Sequence, residues 1–263
     1  MAATNSIVSG TKKELIVWEK YIDCMMHGFS VRESANICGI HRNTSFAWRH
    51  KILGALQKMA GDVVLSGIIE ADETFFPVSY KGNHRRSHTF VMPRKAHKRG
   101  SSTHLRGLSR EKVCVPCAVN RNGLSIARAA NLGRISTKDL HTVYDGRIED
   151  NSTVVTDLMN SYTRFAHKNG LNLVQLKGGK SKKGIYSIQH INSYHSGLKL
   201  FLADFKGVST KHLNNYLIWH NFVNYAPESE VDKRSILLKY TLTNNVTIHY
   251  KDIPRKPAMP FSA

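Results

Sequence analysis

The chain has 263 residues, 41% of them hydrophobic, and sets 38 Lys and Arg against 19 Asp and Glu for a formal net charge of +19. No apolar run approaches the roughly 18 residues of a membrane span, residues 1–14 lack the apolar h-region of a signal peptide, and four cysteines are too few for a disulfide framework. The sequence therefore reads as a soluble cytoplasmic protein of one large domain and one small one, and its charge predicts a polyanionic partner whose condensed counterions are released on binding.

Thr11-Lys12-Lys13-Glu14 has the form of a capping box, and Leu15, Trp18, Ile22, Met25 and Met26 follow at helical spacing, which predicts a helix over 12–27. A second box, Ser30-Val31-Arg32-Glu33, opens a short helix that Gly39 ends, and residues 42–56 predict a third with Trp48, Ile52 and Leu56 inward. Helix, short helix, glycine turn and basic helix make a helix-turn-helix over 1–60, with a bundle that merely packs as the alternative. Around 61–67 the periodicity turns from helical to β. Strands are predicted over 68–76, 112–120 and 125–131, then a helix over 137–144, a strand over 153–157, a helix over 161–168, a strand over 171–176, and helices over 187–205 and 210–224. That is the order of a ribonuclease H-like α/β domain, a mixed sheet flanked by helices, over 61–225.

Between Glu73 and Glu111 no acid occurs, whereas nine Lys and Arg do. Residues 77–110 read as a basic insertion that orders on DNA, with Arg94, Lys95, Lys98 and Arg99 as contacts. Residues 226–263 read as a C-terminal extension, loose from Ile253 onward, where three prolines fall.

Cutting a phosphodiester by in-line attack needs divalent cations, and Mg²⁺ demands oxygen ligands, chiefly carboxylates at strand ends. Asp72 lies in the apolar strand Ile69-Glu70-Ala71-Asp72-Glu73-Thr74, where an acid is costly unless paired or metal-bound; an edge strand facing water, or an ion pair with an arginine, is the alternative. Asp157 ends the strand Thr153-Val154-Val155-Thr156 and precedes a helix, so a plain N-cap competes with a catalytic role. On the 187–205 helix, Asn192, His195, Ser196 and Lys199 share one surface, with a solvated helix face as the plain reading, preferred for Ser196.

These residues resemble insertion-sequence transposases of the DDE type, which share a ribonuclease H-like catalytic domain with retroviral integrases. Ala71-Asp72-Glu73-Thr74 is similar to the first catalytic motif and Val155-Thr156-Asp157 to the second. Ile191-Asn192-Ser193-Tyr194-His195-Ser196-Gly197-Leu198-Lys199, followed by Gly207-Val208-Ser209-Thr210-Lys211 and Asn215-Tyr216-Leu217, resembles a subgroup with an Asp, Asp, Asn, Lys signature. The resemblance implies catalytic roles for Asp72, Asp157, Asn192 and Lys199, with Asp72, Asp157 and Asn192 on Mg²⁺ or Mn²⁺. It also implies double-stranded DNA partners, element ends and target, and a homo-oligomer on the nucleoid. Asparagine offers a metal an oxygen but no charge, which Glu73 or a DNA phosphate would have to supply. Lys199 would contact phosphate beside the scissile bond, and His195 would do the same, assist proton transfer, or serve as a structural hydrogen bond.

In the helix-turn-helix, Arg42, Asn43 and Thr44 are placed to reach base edges, and Arg49, His50 and Lys51 to meet phosphates. The resemblance implies that this domain binds terminal inverted repeats. Members often carry a Cys-rich zinc ribbon before it, which this sequence starts without. Cys114-Val115-Pro116-Cys117 is not a zinc half-site, because residues three apart on a strand face opposite sides and no second pair exists; no zinc is expected. Lys177-Gly178-Gly179-Lys180-Ser181 lacks phosphate-loop spacing and reads as a basic DNA-contact loop through Lys180. A non-catalytic DNA-binding remnant and a simple nuclease of the same fold are the rival functions.

Overall fold

The computed structural model describes residues 6–61, 63–82, 109–177, 182–243 and 248–261. The chain divides into two compact units, one of residues 1–62 with 215–256, the other of 63–214 with 257–263.

The first unit is helical: α1 (Leu15–Met26), α2 (Val31–Cys38) and α3 (Arg42–Gly61), then α7 (Leu213–Tyr225), which begins at the boundary, α8 (Glu230–Thr243) and α9 (Asp252–Arg255). Ser30 and Glu33 form the predicted reciprocal box at the start of α2, and Gly39 ends it at φ 60, a left-handed conformation that glycine adopts without steric cost. The Thr11 box does not form. Glu14 is the N-cap of α1, and the Thr11 hydroxyl instead accepts from Lys13 N–H (3.2 Å) and the Trp18 indole (3.3 Å). Trp18 and Trp48 stack at 3.6 Å between centroids, and Ile52, Leu53 and Leu56 are fully buried. The 215–256 segment therefore packs with the N-terminal helices, whereas the sequence places 210–224 with the sheet and leaves 226–263 as an extension. Ile253, expected in a loose tail, is buried in α9.

The second unit is a mixed sheet of β1 (Ile68–Pro77), β2 (Lys112–Asn120), β3 (Ser125–Ala127), β4 (Asn131–Leu132), β5 (Thr153–Thr156) and β6 (Asn172–Gln175), with α4 (Thr137–Tyr144), α5 (Asn160–Lys168) and α6 (Gln189–Asp204). The order is β3-β2-β1-β5-β6; β1, β5 and β6 run parallel, and β2 is antiparallel to both of its neighbours, β1 and β3. Ile69, Ala71 and Val154 face a core with Leu140, Val143 and Tyr144 of α4 and Tyr162 and Phe165 of α5. Alternation along the strands sends Glu70, Asp72 and Val155 to the opposite face, where α6 packs on β1 and β2. A short hairpin, β7 (Lys182–Lys183) with β8 (Tyr186–Ser187), precedes α6 where the sequence suggests only helix and loop. No helix among the described residues is long and apolar enough to cross a membrane.

Candidate active site

β1 and β5 are paired in parallel with Glu70 opposite Val155. That pairing ends there; Asp72 lies two residues further along β1, Asp157 directly follows the end of β5, and the two are close enough for the Asp157 charge to act on Asp72. Asp157 is not the N-cap of α5; that position belongs to Met159, and the Asp157 Oδ1 closes a two-residue turn by accepting Met159 N–H at 3.0 Å. Neither acid is absorbed by an arginine partner: among the described residues the nearest basic group to Asp72 is the His195 Nδ1, at 3.9 Å.

The electrostatics follow from that crowding. Asp72 is pushed up to about 6, first by burial and then by the Asp157 charge, against the lowering effects of the Glu73 backbone N–H and the Lys199 ammonium. Burial pushes Glu73 up to about 7, with the Asp72 and Asp157 charges adding to it. The Tyr162 hydroxyl faces the Glu73 carboxyl and favours its charged form, yet neither Glu73 Oε1 nor that hydroxyl completes a hydrogen bond among the described residues. Glu73 thus points to the α5 side of the sheet, away from the face that Asp72 shares with α6. The sequence suggestion that Glu73 supplies the charge missing at Asn192 is corrected by this alternation.

Both acids hold protons more tightly folded than unfolded, where their ordinary values are 3.8 and 4.5. Their ionisation therefore costs stability: nothing below about pH 4, and progressively more as pH rises through the folded values. Asp72→Asn and Glu73→Gln are expected to stabilise the metal-free protein at pH 8 by on the order of 1–3 kcal/mol and to give no such gain at pH 4. Thermal unfolding against pH in a chelating buffer reads this, and a gain independent of pH would assign it to packing instead of charge.

On α6, His195 is buried, its pKa lowered to about 4 by desolvation and by Lys199, which favours the neutral imidazole. Its Nε2 is enclosed without a hydrogen-bond partner among the described residues. Asn192, one turn earlier, and Lys199, one turn later, are exposed. Ser196 donates back to the Asn192 carbonyl at 3.1 Å, as an ordinary solvated helix residue does. Asp72, Asp157, His195 and Lys199 are thus electrostatically coupled, with Asn192 on the same helix face.

The residue that sequence reading passed over is Glu70. It is 1% exposed, and its carboxylate receives the first turn of α6. The signal was present in Ile69-Glu70-Ala71-Asp72: a second acid in the same buried strand, on the same face as Asp72.

In the helical unit, Arg42 and Asn43 at the front of α3 are exposed, and Thr44 and Lys51 are half-buried. Burial lowers the Lys51 pKa. Arg49 is a correction: it is fully buried, donates to the Phe29 carbonyl and to Ser34 Oγ, and lies 4.8 Å over the Trp219 ring. His50 is also buried, bonded to the Asn215 amide at 3.0 Å. Neither can meet a phosphate. Arg94, Lys95, Lys98, Arg99 and Lys180 lie outside the described residues.

Among the described residues no trio of His, Cys, Asp or Glu could hold a metal ion. The coupled carboxylates of Asp72 and Asp157 are nevertheless the oxygen donors that a hard divalent cation takes, with its remaining ligands drawn from neutral oxygens, water and phosphate.

Residues 64–222, more than half of the chain, match the ISXO2-like transposase domain, and the chain belongs to that family of DDE transposases. No curated relative matches the sequence. Among solved structures, the chain is similar to that of a pre-cleavage Mos1 transpososome at 8% identity, covering 89% of this chain and 81% of that one with a TM-score of 0.26. It is also similar to the Mos1 transposase paired-end complex with left transposon end, at 9% identity, 88% and 81% coverage and a TM-score of 0.25. Superpositions this loose leave the assignment to the family match.

Proposed function

We propose that this protein is a metal-dependent transposase that binds the terminal inverted repeats of an insertion sequence, nicks the element end and joins the freed 3′-hydroxyl to target DNA at one centre. The observation that supports the reading is the charge coupling of Asp72, in β1, with Asp157, just beyond the end of the neighbouring β5, inside the family domain. Asp72, Asp157 and the Asn192 amide oxygen would hold the cation. Bound Mg²⁺ or Mn²⁺ supplies activation of the attacking hydroxyl and neutralisation of the leaving oxygen. Lys199, exposed and close enough to lower the Asp72 pKa, binds the phosphate beside the scissile bond. The charge that Asn192 lacks comes from that DNA phosphate, since Glu73 faces the other way.

The order β3-β2-β1-β5-β6 supports the ribonuclease H-like assignment, and α2, the Gly39 turn and α3 support a helix-turn-helix. In this reading Arg42, Asn43 and Thr44 meet base edges and Lys51 meets phosphate, while Arg94, Lys95, Lys98, Arg99 and Lys180 follow the DNA backbone. Two element ends must be held together, so the working form is a homo-oligomer on DNA at the nucleoid.

Labelled terminal-repeat DNA, supplied with target DNA and Mg²⁺ or Mn²⁺, tests this. The expected result is a nick at the element end followed by a strand-transfer product. Asparagine in place of a third acid favours one second reading, a DNA-binding remnant; specific binding without nicking would establish it. Cleavage that never yields joined strands would identify a nuclease instead.

A further inference from the structure

Helix α6 starts without a cap of its own. Its N-cap is Ile188, which offers no side-chain acceptor, and its first turn holds no acid. The acceptor comes from β1. Glu70 Oε2 takes the backbone N–H of His190 at 2.8 Å and of Ile191 at 3.1 Å, and Oε1 takes the Ser187 hydroxyl at 2.9 Å with His190 Nδ1 at 2.7 Å. A buried carboxylate at this point satisfies N–H groups that would otherwise be orphaned and meets the positive end of the helix dipole.

Placement turns this cap into more than local stabilisation. Glu70 stands two residues before Asp72 on the same strand face, and Ile191 immediately precedes Asn192. One carboxylate therefore joins the strand of Asp72 to the helix of Asn192, His195 and Lys199, at the turn that sets that helix's rotation and height on the sheet. A neutral amide exerts little long-range pull on a cation, so its contribution depends on the oxygen already standing at ligand distance. A centre with asparagine as a ligand leans on a rigid helix start more than one with a third acid.

We propose that Glu70 is a positioning residue of this centre: its carboxyl group, through the hydrogen bonds it accepts, holds α6 where the Asn192 amide oxygen completes the cation site begun by Asp72 and Asp157. This rests on the metal-dependent reading above. Groups that orient metal ligands typically carry about 10–100-fold in metal affinity.

The test is Mn²⁺ binding to the full chain by titration calorimetry, which needs no catalytic turnover. Four proteins are compared: wild type, Asp72→Ala, Glu70→Gln, and Val143→Ala as a core truncation in α4 that lowers stability elsewhere in the same unit. Wild type should bind, Asp72→Ala should not, Glu70→Gln should bind about tenfold more weakly, and Val143→Ala should bind as wild type does. Glu70→Gln with wild-type affinity would overturn the positioning role while leaving the metal site standing. Equal weakening in Val143→Ala would also overturn it, because the loss would then be general destabilisation. No Mn²⁺ binding by wild type, or binding indifferent to Asp72→Ala, would remove the metal reading itself and the role of Glu70 with it.

Discussion

Asp72→Asn and Asp157→Asn are each expected to lower nicking and strand transfer by roughly a thousandfold or more, while repeat DNA is still bound. The magnitude follows from what the pair is asked to supply: charge stabilisation at the attacking and leaving oxygens, several kcal/mol, where each tenfold in rate is about 1.4 kcal/mol. An amide substitution keeps the side-chain volume and removes only the charge. Asp72→Asn should in addition make the metal-free protein more stable at pH 8, because it relieves a carboxyl whose pKa burial and Asp157 raise to about 6. Lost activity with gained stability separates a functional acid from a structural one, which would lose both. A single-turnover nicking assay beside a binding titration reads the first half, and thermal unfolding the second. Activity within about tenfold of wild type in both variants would remove these acids from the chemistry.

The parts of the fold that local chemistry dictates were legible in the sequence. The strand over 112–120 and the helix over 137–144 have the bounds predicted for them; the first is buried over nearly its whole length, and Ser136 and Asp139 cap the second. Asp72 drew attention as an acid in an apolar strand, and Asp157 through its pairing with Asp72 at the end of a neighbouring one. What escaped depends on contacts distant along the chain. Gln57 with Asn215 at 2.8 Å, and His50 with the same Asn215, tie α7 to α3, and no periodicity within either helix announces that pairing. α8 was overlooked although Ser229 caps it through Asp232 N–H, because its buried side is only Lys233, Leu237 and Thr241, too narrow and too polar a stripe to register as amphipathic. Glu70 escaped for a related reason: its partners, the His190 and Ile191 backbone N–H groups with the Ser187 hydroxyl and the His190 ring, lie 117 to 121 positions away along the chain.

Arg49→Met separates the two meanings a basic residue can have in a helix such as α3. Read by charge, Arg49 is a phosphate contact, and its loss should weaken DNA binding and reduce the salt dependence by about one counterion. Its surroundings predict otherwise. The guanidinium donates to the Phe29 carbonyl and Ser34 Oγ and lies over Trp219, all within the helical unit, with no exposure to solvent. Methionine fills part of the volume but leaves a buried carbonyl and hydroxyl without their donor and forfeits the cation–π contact, together about 3 kcal/mol or more. The expected outcome is a fall of about 10 °C or more in the unfolding midpoint of that unit, with an unchanged salt slope for DNA binding measured well below it. Arg42→Ala is the counterpart: Arg42 is exposed at the front of α3, so its loss should leave the midpoint within about a degree and weaken binding. Arg49→Met with an intact midpoint and a shallower salt slope would return Arg49 to the DNA surface. The expected pattern instead makes it the cation on which α2, α3 and α7 converge.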